Sequence, residues 1–269
     1  MIVWLYSVFS VVCAAPAPTP AVIQQRIEEF NKYSFQPIPS PSSNQILAWQ
    51  DGEVLTLLDN SAGLDQPSRA VGYLLSTASM RNLWLACQDI HFTQNSSAKE
   101  VVIYTYPDKK ADWFGYLDLP WPMSNRYWVV SVSNNTTMAQ ATQNTHWEHP
   151  WKLKENGIQL ANQYANQGKL QSINIDTHMV EDAIFTPVNQ GAWIVIQIDS
   201  TYSMLIYHAT TVVGGNIPRD FVTQLVKSSM EDMLQTIDKK AKTDVTNHYV
   251  GDHYLITGGN NQPVPLYSK

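Results

Sequence analysis

The chain has 269 residues, 44% of them apolar and 15% charged, with 17 Lys and Arg against 23 Asp and Glu for a net charge of −6. That length suits one large domain or two small ones. The negative balance, with no basic run longer than Lys239-Lys240, argues against a nucleic acid or an anionic membrane as the main partner. Nine Trp and 13 Tyr in so weakly charged a chain fit a large core or an apolar cavity.

Residues 2–15 are almost wholly apolar and run into a small, proline-rich stretch, which predicts an export signal over 1–21. No Lys or Arg precedes the apolar run; lipid attachment at Cys13 and retention as an apolar anchor are the alternatives. With that segment removed, Cys87 is the sole thiol, and its setting in Leu83-Trp84-Leu85-Ala86-Cys87 is that of a buried apolar residue. Residues 22–45 read as a short amphipathic helix, with Ile23, Ile27 and Phe30 on one face, followed by a Pro/Ser linker. The main domain is expected over 46–243 and a tail over 244–269.

Within the domain, a first hairpin is expected at 46–49 and 54–58 around Asp51-Gly52, then a helix from Pro67 through Leu75, with a second helical or irregular piece to Leu85. Strands follow at 100–106, 112–119, 127–134, 145–153, 172–180, 192–199 and 203–212, with a loop or short helix over 155–170. Pro107-Asp108-Lys109-Lys110, residues 187–191 and Asp199-Ser200-Thr201 carry turn signals. The last strand meets Gly214-Gly215, and after Pro218 the apolar residues Phe221, Val222, Leu225, Val226, Met230, Met233, Leu234 and Ile237 keep the 3.6-residue period of one long helix. A run of antiparallel strands makes a curved sheet, and a long helix is the natural cover for its concave face.

Two motifs in this order resemble those of the START and START-like lipid-transfer domains. Pro120-Trp121-Pro122-Met123-Ser124-Asn125-Arg126 is similar to the family's Pro-x-Pro-x-Ser-x-Arg-Asp connection between two central strands. Gly214-Gly215-Asn216-Ile217-Pro218 is similar to its Gly-Gly-x-Ile-Pro junction before the C-terminal helix. Trp193 opens a strand, as an aromatic commonly does in these domains. The departure is Tyr127, where the family usually has Asp; Arg126 then pairs with Asp118, orders the loop as a donor, or faces solvent. The resemblance implies an α+β helix-grip fold, a curved antiparallel sheet of about seven to nine strands wrapped around a long C-terminal α-helix. It implies a hydrophobic small molecule, such as a lipid, held inside for transport or sensing. No cofactor and no nucleic acid are expected, and membrane contact would be transient.

Strand alternation offers two sets of candidates per strand, because residues two apart share a face. The expected ligand-binding set is Trp113, Trp128, Val130, Met204, Ile206, His208, Ile217, Phe221 and Leu225, with Asp118 and Arg126 as polar anchors or loop-ordering groups. Both faces of these strands are rich in large side chains, which predicts extra cover from the N-terminal helix or the tail. Among catalytic patterns, Gly-x-Ser-x-Gly and phosphate-binding glycine loops are missing from the sequence. His146 and His149 are three apart and, on a strand, point to opposite faces, as do the adjacent Glu181 and Asp182. Asn95-Ser96-Ser97 and Asn134-Asn135-Thr136-Thr137 match glycosylation sequons. Two other functions stay open: a polyketide cyclase or aromatase-like enzyme with Asp118, Arg126 and His208 converging on the cavity, and a surface interaction module built on exposed tryptophans.

Overall fold

Thr19 and Pro20 start the first helix, α1 (Pro20–Asn31). The threonine side chain accepts from the Val22 N–H, and Pro20 lacks an N–H that the first turn would leave unpaired. Ile23, Ile27 and Phe30 come round to one buried face, as their spacing predicts. The computed structural model describes residues 16–49, 52–59, 67–89, 92, 98–212, 214–215 and 219–268, with the backbone alone for 219–228. The expected export signal falls mostly outside these residues, as does Asn95.

Nine strands form one sheet: β1 (Val54–Asp59), β2 (Arg69–Ser76), β3 (Ala98–Thr105), β4 (Ala111–Leu117), β5 (Arg126–Val132), β6 (His146–Leu153), β7 (Ile184–Phe185), β8 (Val188–Gln197) and β9 (Ser203–Val212). Their order is β1-β2-β9-β8-β6-β5-β4-β3, antiparallel throughout, with the two-residue β7 lying parallel to β5. Seven further helices complete the described chain: α2 (Ser43–Ala48), α3 (Met80–Gln88), α4 (Thr136–Ala141), α5 (Gly157–Asn166), α6 (Thr177–Asp182), α7 (Arg219–Thr243) and α8 (Val245–His248).

The sheet is covered on both faces, so its central strands read as continuous apolar runs. On one face, Met230, Leu234, Ile237 and Ala241 of α7 pack with α3, with Tyr249 and Val264 of the tail, and with Ala70, Leu74, Val195 and Leu205 of the sheet. On the other, Ile23, Ile27 and Phe30 of α1 pack with Val71, Tyr73, Ile194, Ile196, Met204 and Ile206. Further along that outer face, Ala161, Tyr164 and Ala165 of α5 cover Phe114, Tyr116, Tyr127 and Val129. The extra cover thus comes from α1 and α5 on the outer face, while the tail joins the inner layer.

Gly72 sets how close α7 comes to the sheet. A Cβ there would lie 2.6 Å from the Met230 sulfur and 2.7 Å from Leu234 Cδ1. Gly72→Ala is therefore expected to push α7 outward and cost about 1–3 kcal/mol, read as a lower urea midpoint; an unchanged midpoint would show that the helix is not seated on this strand.

Four expectations differ. Residues 46–48 belong to α2 and Trp49 caps it, because Ser42 and Gln45 form a reciprocal capping box. The helix expected from Pro67 is β2, whose residues pair with both β1 and β9; a short run buried on both faces lacks the alternation that marks a strand. The strand expected at 172–180 is a 3-10 turn (Gln171–Ile173) and α6, separated by the left-handed Asn174 and capped by Asp176. Of the turn expected at 187–191, residues 188–191 are instead the start of β8.

Candidate ligand-binding site

Pairing registers fix which residues share the α7 side of the sheet. Trp193 stands opposite Tyr207 and His149, Trp151 opposite Gly191 and Val132, Trp113 opposite Val130 and Val102, and Trp128 opposite Gly115. Gly115 leaves room for the Trp128 indole, which a Cβ would meet at 2.1 Å. Trp193 and Tyr207 have ring centroids 4.5 Å apart, Trp151 and Tyr207 5.3 Å. The rings of Trp113, Trp128, Trp151, Trp193 and Tyr207 all remain half-buried, although Val130 and Val195 beside them are sealed. Val102 of the edge strand is 44% exposed on the same face. Described side chains therefore leave this concave aromatic wall partly open.

Burial raises the pKa of the Tyr207 hydroxyl of β9, with a smaller contribution from the Glu100 carboxylate of β3. Glu100 is opposite Gly115 and so faces inward, and burial pushes its own carboxyl up to about 7.

His149 is the polar group best placed to meet a ligand. Asn134 donates its amide to the Gly258 carbonyl at 3.0 Å and to Asn261 Oδ1 at 2.9 Å, so its own Oδ1 is left to accept from His149 Nδ1 at 2.7 Å. That bond puts the proton on Nδ1 and leaves Nε2 a bare acceptor. Among the described residues Nε2 is buried with no hydrogen-bond partner, and so is the Trp147 indole N–H two residues earlier on the same face. The Trp84 ring lies 6.3 Å from His149 and 5.1 Å from Trp147, and Trp113 lies 6.3 Å from His149. Burial pushes the His149 imidazole down to about 4, so it is neutral at physiological pH.

The two family-like motifs meet at one side chain. Arg126, buried at the start of β5, donates to the carbonyls of Ser124 and Asn125 and, through Nη2 at 2.8 Å, to the carbonyl of Gly214. Gly214 and Gly215 both have positive φ, 67° and 70°, a conformation that costs glycine nothing because it has no Cβ. A groove of 430 Å³ opens beside this joint, lined by Leu153, Lys154, Phe185, Pro187 and Asn189. Here β6 leaves β5 after three paired residues, and Asn189 accepts from the Trp151 indole at 2.9 Å, so the groove adjoins the aromatic wall.

Of the expected site residues, Trp113, Trp128 and Val130 share the concave face. Met204, Ile206 and His208 do not: Leu205 and Tyr207 take that face, so alternation turns the other three into the layer under α1. Ile217 and the side chains of Phe221 and Leu225 lie outside the described residues. Arg126 orders the loop rather than facing solvent or meeting Asp118, whose partner is Lys99 at 3.2 Å. Asp118, Arg126 and His208 thus do not converge. Cys87 is buried, and its thiol is pushed up to about 12. Asn135 is buried as the α4 cap, and Asn134 is engaged with the tail, so the second sequon is closed in the folded chain. His146 and His149 point to opposite faces, His146 donating from Nε2 to the Arg26 carbonyl at 3.1 Å. The sequence reading missed His149, Trp151, Tyr207 and Glu100; the aromatic alternation Trp147-x-His149-x-Trp151 was their visible sign.

No family model and no curated protein matches the chain. Among solved structures it is similar to a STAR-related lipid transfer protein from Xanthomonas axonopodis, with a TM-score of 0.50, 13% identity, and coverage of 72% of this chain and 96% of that one. Human STARD10 gives a TM-score of 0.53 at 9% identity over 80% and 87% of the two chains. Human StAR-related lipid transfer protein 5 gives 0.52 at 11% identity over 83% and 96%. The fold is therefore START-like, a helix-grip arrangement of curved sheet and C-terminal helix.

Proposed function

We propose that this chain carries one hydrophobic small molecule, a lipid bearing a hydroxyl group, against the aromatic wall between the sheet and α3–α7, and that it acts after export. The observation that carries the reading is His149: a buried, bare Nε2 among half-buried indoles accepts a hydroxyl proton and otherwise goes unsatisfied. The driving force is burial of apolar surface, about 25 cal/mol per Å², which needs no covalent step. The separation of Asp118, Arg126 and His208 supports a carrier over a cyclase. The concave placement of Trp113, Trp128, Trp151 and Trp193 supports a cavity over a surface platform. The groove beside Gly214 is the proposed entrance, and Trp121, 92% exposed on the β4–β5 connection, the proposed point of transient membrane contact.

The test is titration of delipidated protein with a fluorescent fatty acid, sterol and phospholipid. One-to-one saturation by at least one class is expected, and no saturation by any of the three would remove the reading. His149→Phe is expected to weaken a hydroxylated ligand about tenfold, ~1.4 kcal/mol, while leaving its hydroxyl-free analogue nearly unchanged; equal loss for both would show that His149 is not the anchor. Fractionation of the expressing cells tests export, with protein retained in the cytoplasm as the contrary result.

A further inference from the structure

The C-terminal tail closes against the end of α3 through a cluster that the lipid reading does not use. Asp89, which caps the end of α3, is buried, and its carboxylate accepts a hydrogen bond from the Tyr249 hydroxyl. His248 ends α8, and His253 follows the turn through Gly251. Their Nε2 atoms are 3.0 Å apart, His248 Nε2 lies 3.4 Å from Asp89 Oδ2, and the three ligand atoms all fall within 4.8 Å of one another.

We propose that Asp89, His248 and His253 form a binding site for a divalent transition-metal cation of the zinc class. Two geometric facts carry it. The edges of 3.0 and 3.4 Å match the roughly 3.3 Å expected between ligand atoms of a tetrahedral site with metal–nitrogen and metal–oxygen bonds of about 2.0–2.1 Å. His253 Nδ1 donates to the Tyr254 carbonyl at 2.8 Å, which fixes the tautomer with a bare lone pair on the Nε2 that faces His248. A backbone acceptor on the remote ring nitrogen is the usual support of a metal-bound imidazole, and the Tyr249 hydroxyl donating to the carboxylate plays the same part for Asp89. The rings are further held by packing: Phe92 lies 5.0 Å from His248, and Tyr249 lies 4.5 Å from His253. Two imidazoles and one carboxylate select zinc-class ions over calcium or magnesium, which take oxygen donors. A water molecule would supply the fourth ligand. The ion ties the tail to α3, clamping the strap that carries Gly258 and Gly259 over Trp147.

The experiment uses the full chain, stripped with a chelator and dialysed against Zn2+, with metal content measured by elemental analysis and geometry by Co2+ absorption. One equivalent per chain with a tetrahedral Co2+ spectrum is expected, together with a higher thermal midpoint in Zn2+. His253→Ala and His248→Gln, each checked by circular dichroism for the native fold, are expected to weaken Zn2+ binding at least tenfold and to abolish the Zn2+-dependent midpoint shift. Less than 0.1 equivalent at 100 µM free Zn2+, or unchanged binding in both variants, would overturn the proposal.

Discussion

Arg126→Ala is expected to cost roughly 3 kcal/mol of folding stability, because buried carbonyls left without a donor each cost about 1–3 kcal/mol and only some can rehydrate at the loop. The guanidinium serves the carbonyls of Ser124, Asn125 and Gly214 at once, so its loss loosens the β4–β5 connection and the glycine joint before α7 together. A Cβ on Gly215 would stand 3.0 Å from Nη2, so the joint is closed tightly over the arginine. Arg126→Lys is expected to recover less than half of the loss, since one ammonium cannot span the same fork of acceptors. Urea midpoints of the three proteins measure this. A change below 0.5 kcal/mol in the alanine variant would mean that Arg126 does not join the two segments. Because the joint borders the proposed entrance, the same variant is expected to exchange ligand faster.

Much of this architecture was legible in the sequence because several elements carry their own signals. The spacing of Ile23, Ile27 and Phe30 gave α1, the Gly214-Gly215 pair gave the joint, and the alternating aromatic residues of 112–119, 127–134 and 145–153 gave β4, β5 and β6. The failures were local runs whose pattern is set by distant partners. Residues 69–76 are apolar on both sides because α1 and α7 cover the two faces of β2, and nothing within the run says so. Likewise 172–180 looks extended until Asn174 turns left-handed and Asp176 caps the next helix.

The site was half legible for the same reason. Trp113, Trp128 and Val130 fall on the concave face, but the parity of β9 could not be read from Met204-Leu205-Ile206-Tyr207-His208, where every residue is large. The small residues decide it. Gly72, Gly115 and Gly191 all lie on the concave face, where α7, the Trp128 ring and the Trp151 ring come too close for a Cβ. Tyr207 stands opposite Gly72 and two residues from Ala209, Gly191's partner, so it shares their side, and His208 is turned to the other. A glycine-based parity would have placed His149, Trp151 and Tyr207 in the wall and moved His208 out of it.

His208 then bears on stability rather than on the ligand, and it gives the chain a marked acid sensitivity. Burial pushes the His208 imidazole down to about 3, and neither of its ring nitrogens has a partner among the described residues. Burial likewise pushes His146 and His149 down to about 4. Unfolded, each takes a proton near pH 6.5, so below that pH the unfolded chain binds three protons that the native chain refuses. Two carboxyls oppose this. Glu100 is pushed up to about 7 and Glu148 is also raised by burial, so the native state keeps protons that the unfolded state releases above pH ~4.5. The balance is a net uptake of one to two protons on unfolding, and stability is expected to fall by about 1–3 kcal/mol per pH unit between pH 6.5 and 4.5. Urea unfolding at pH 7, 6 and 5 measures the slope, and a flat or rising profile would contradict the assignment. His208→Leu removes one proton from the balance and two unsatisfied nitrogens from the core, so it is expected to flatten the slope by about 1.4 kcal/mol per unit. The anchor itself behaves differently. His149 Nε2 stays a neutral acceptor down to about pH 4, so ligand affinity is expected to hold across the range in which the fold weakens. Release in acid would then follow from opening of the protein and not from protonation of the group that holds the hydroxyl.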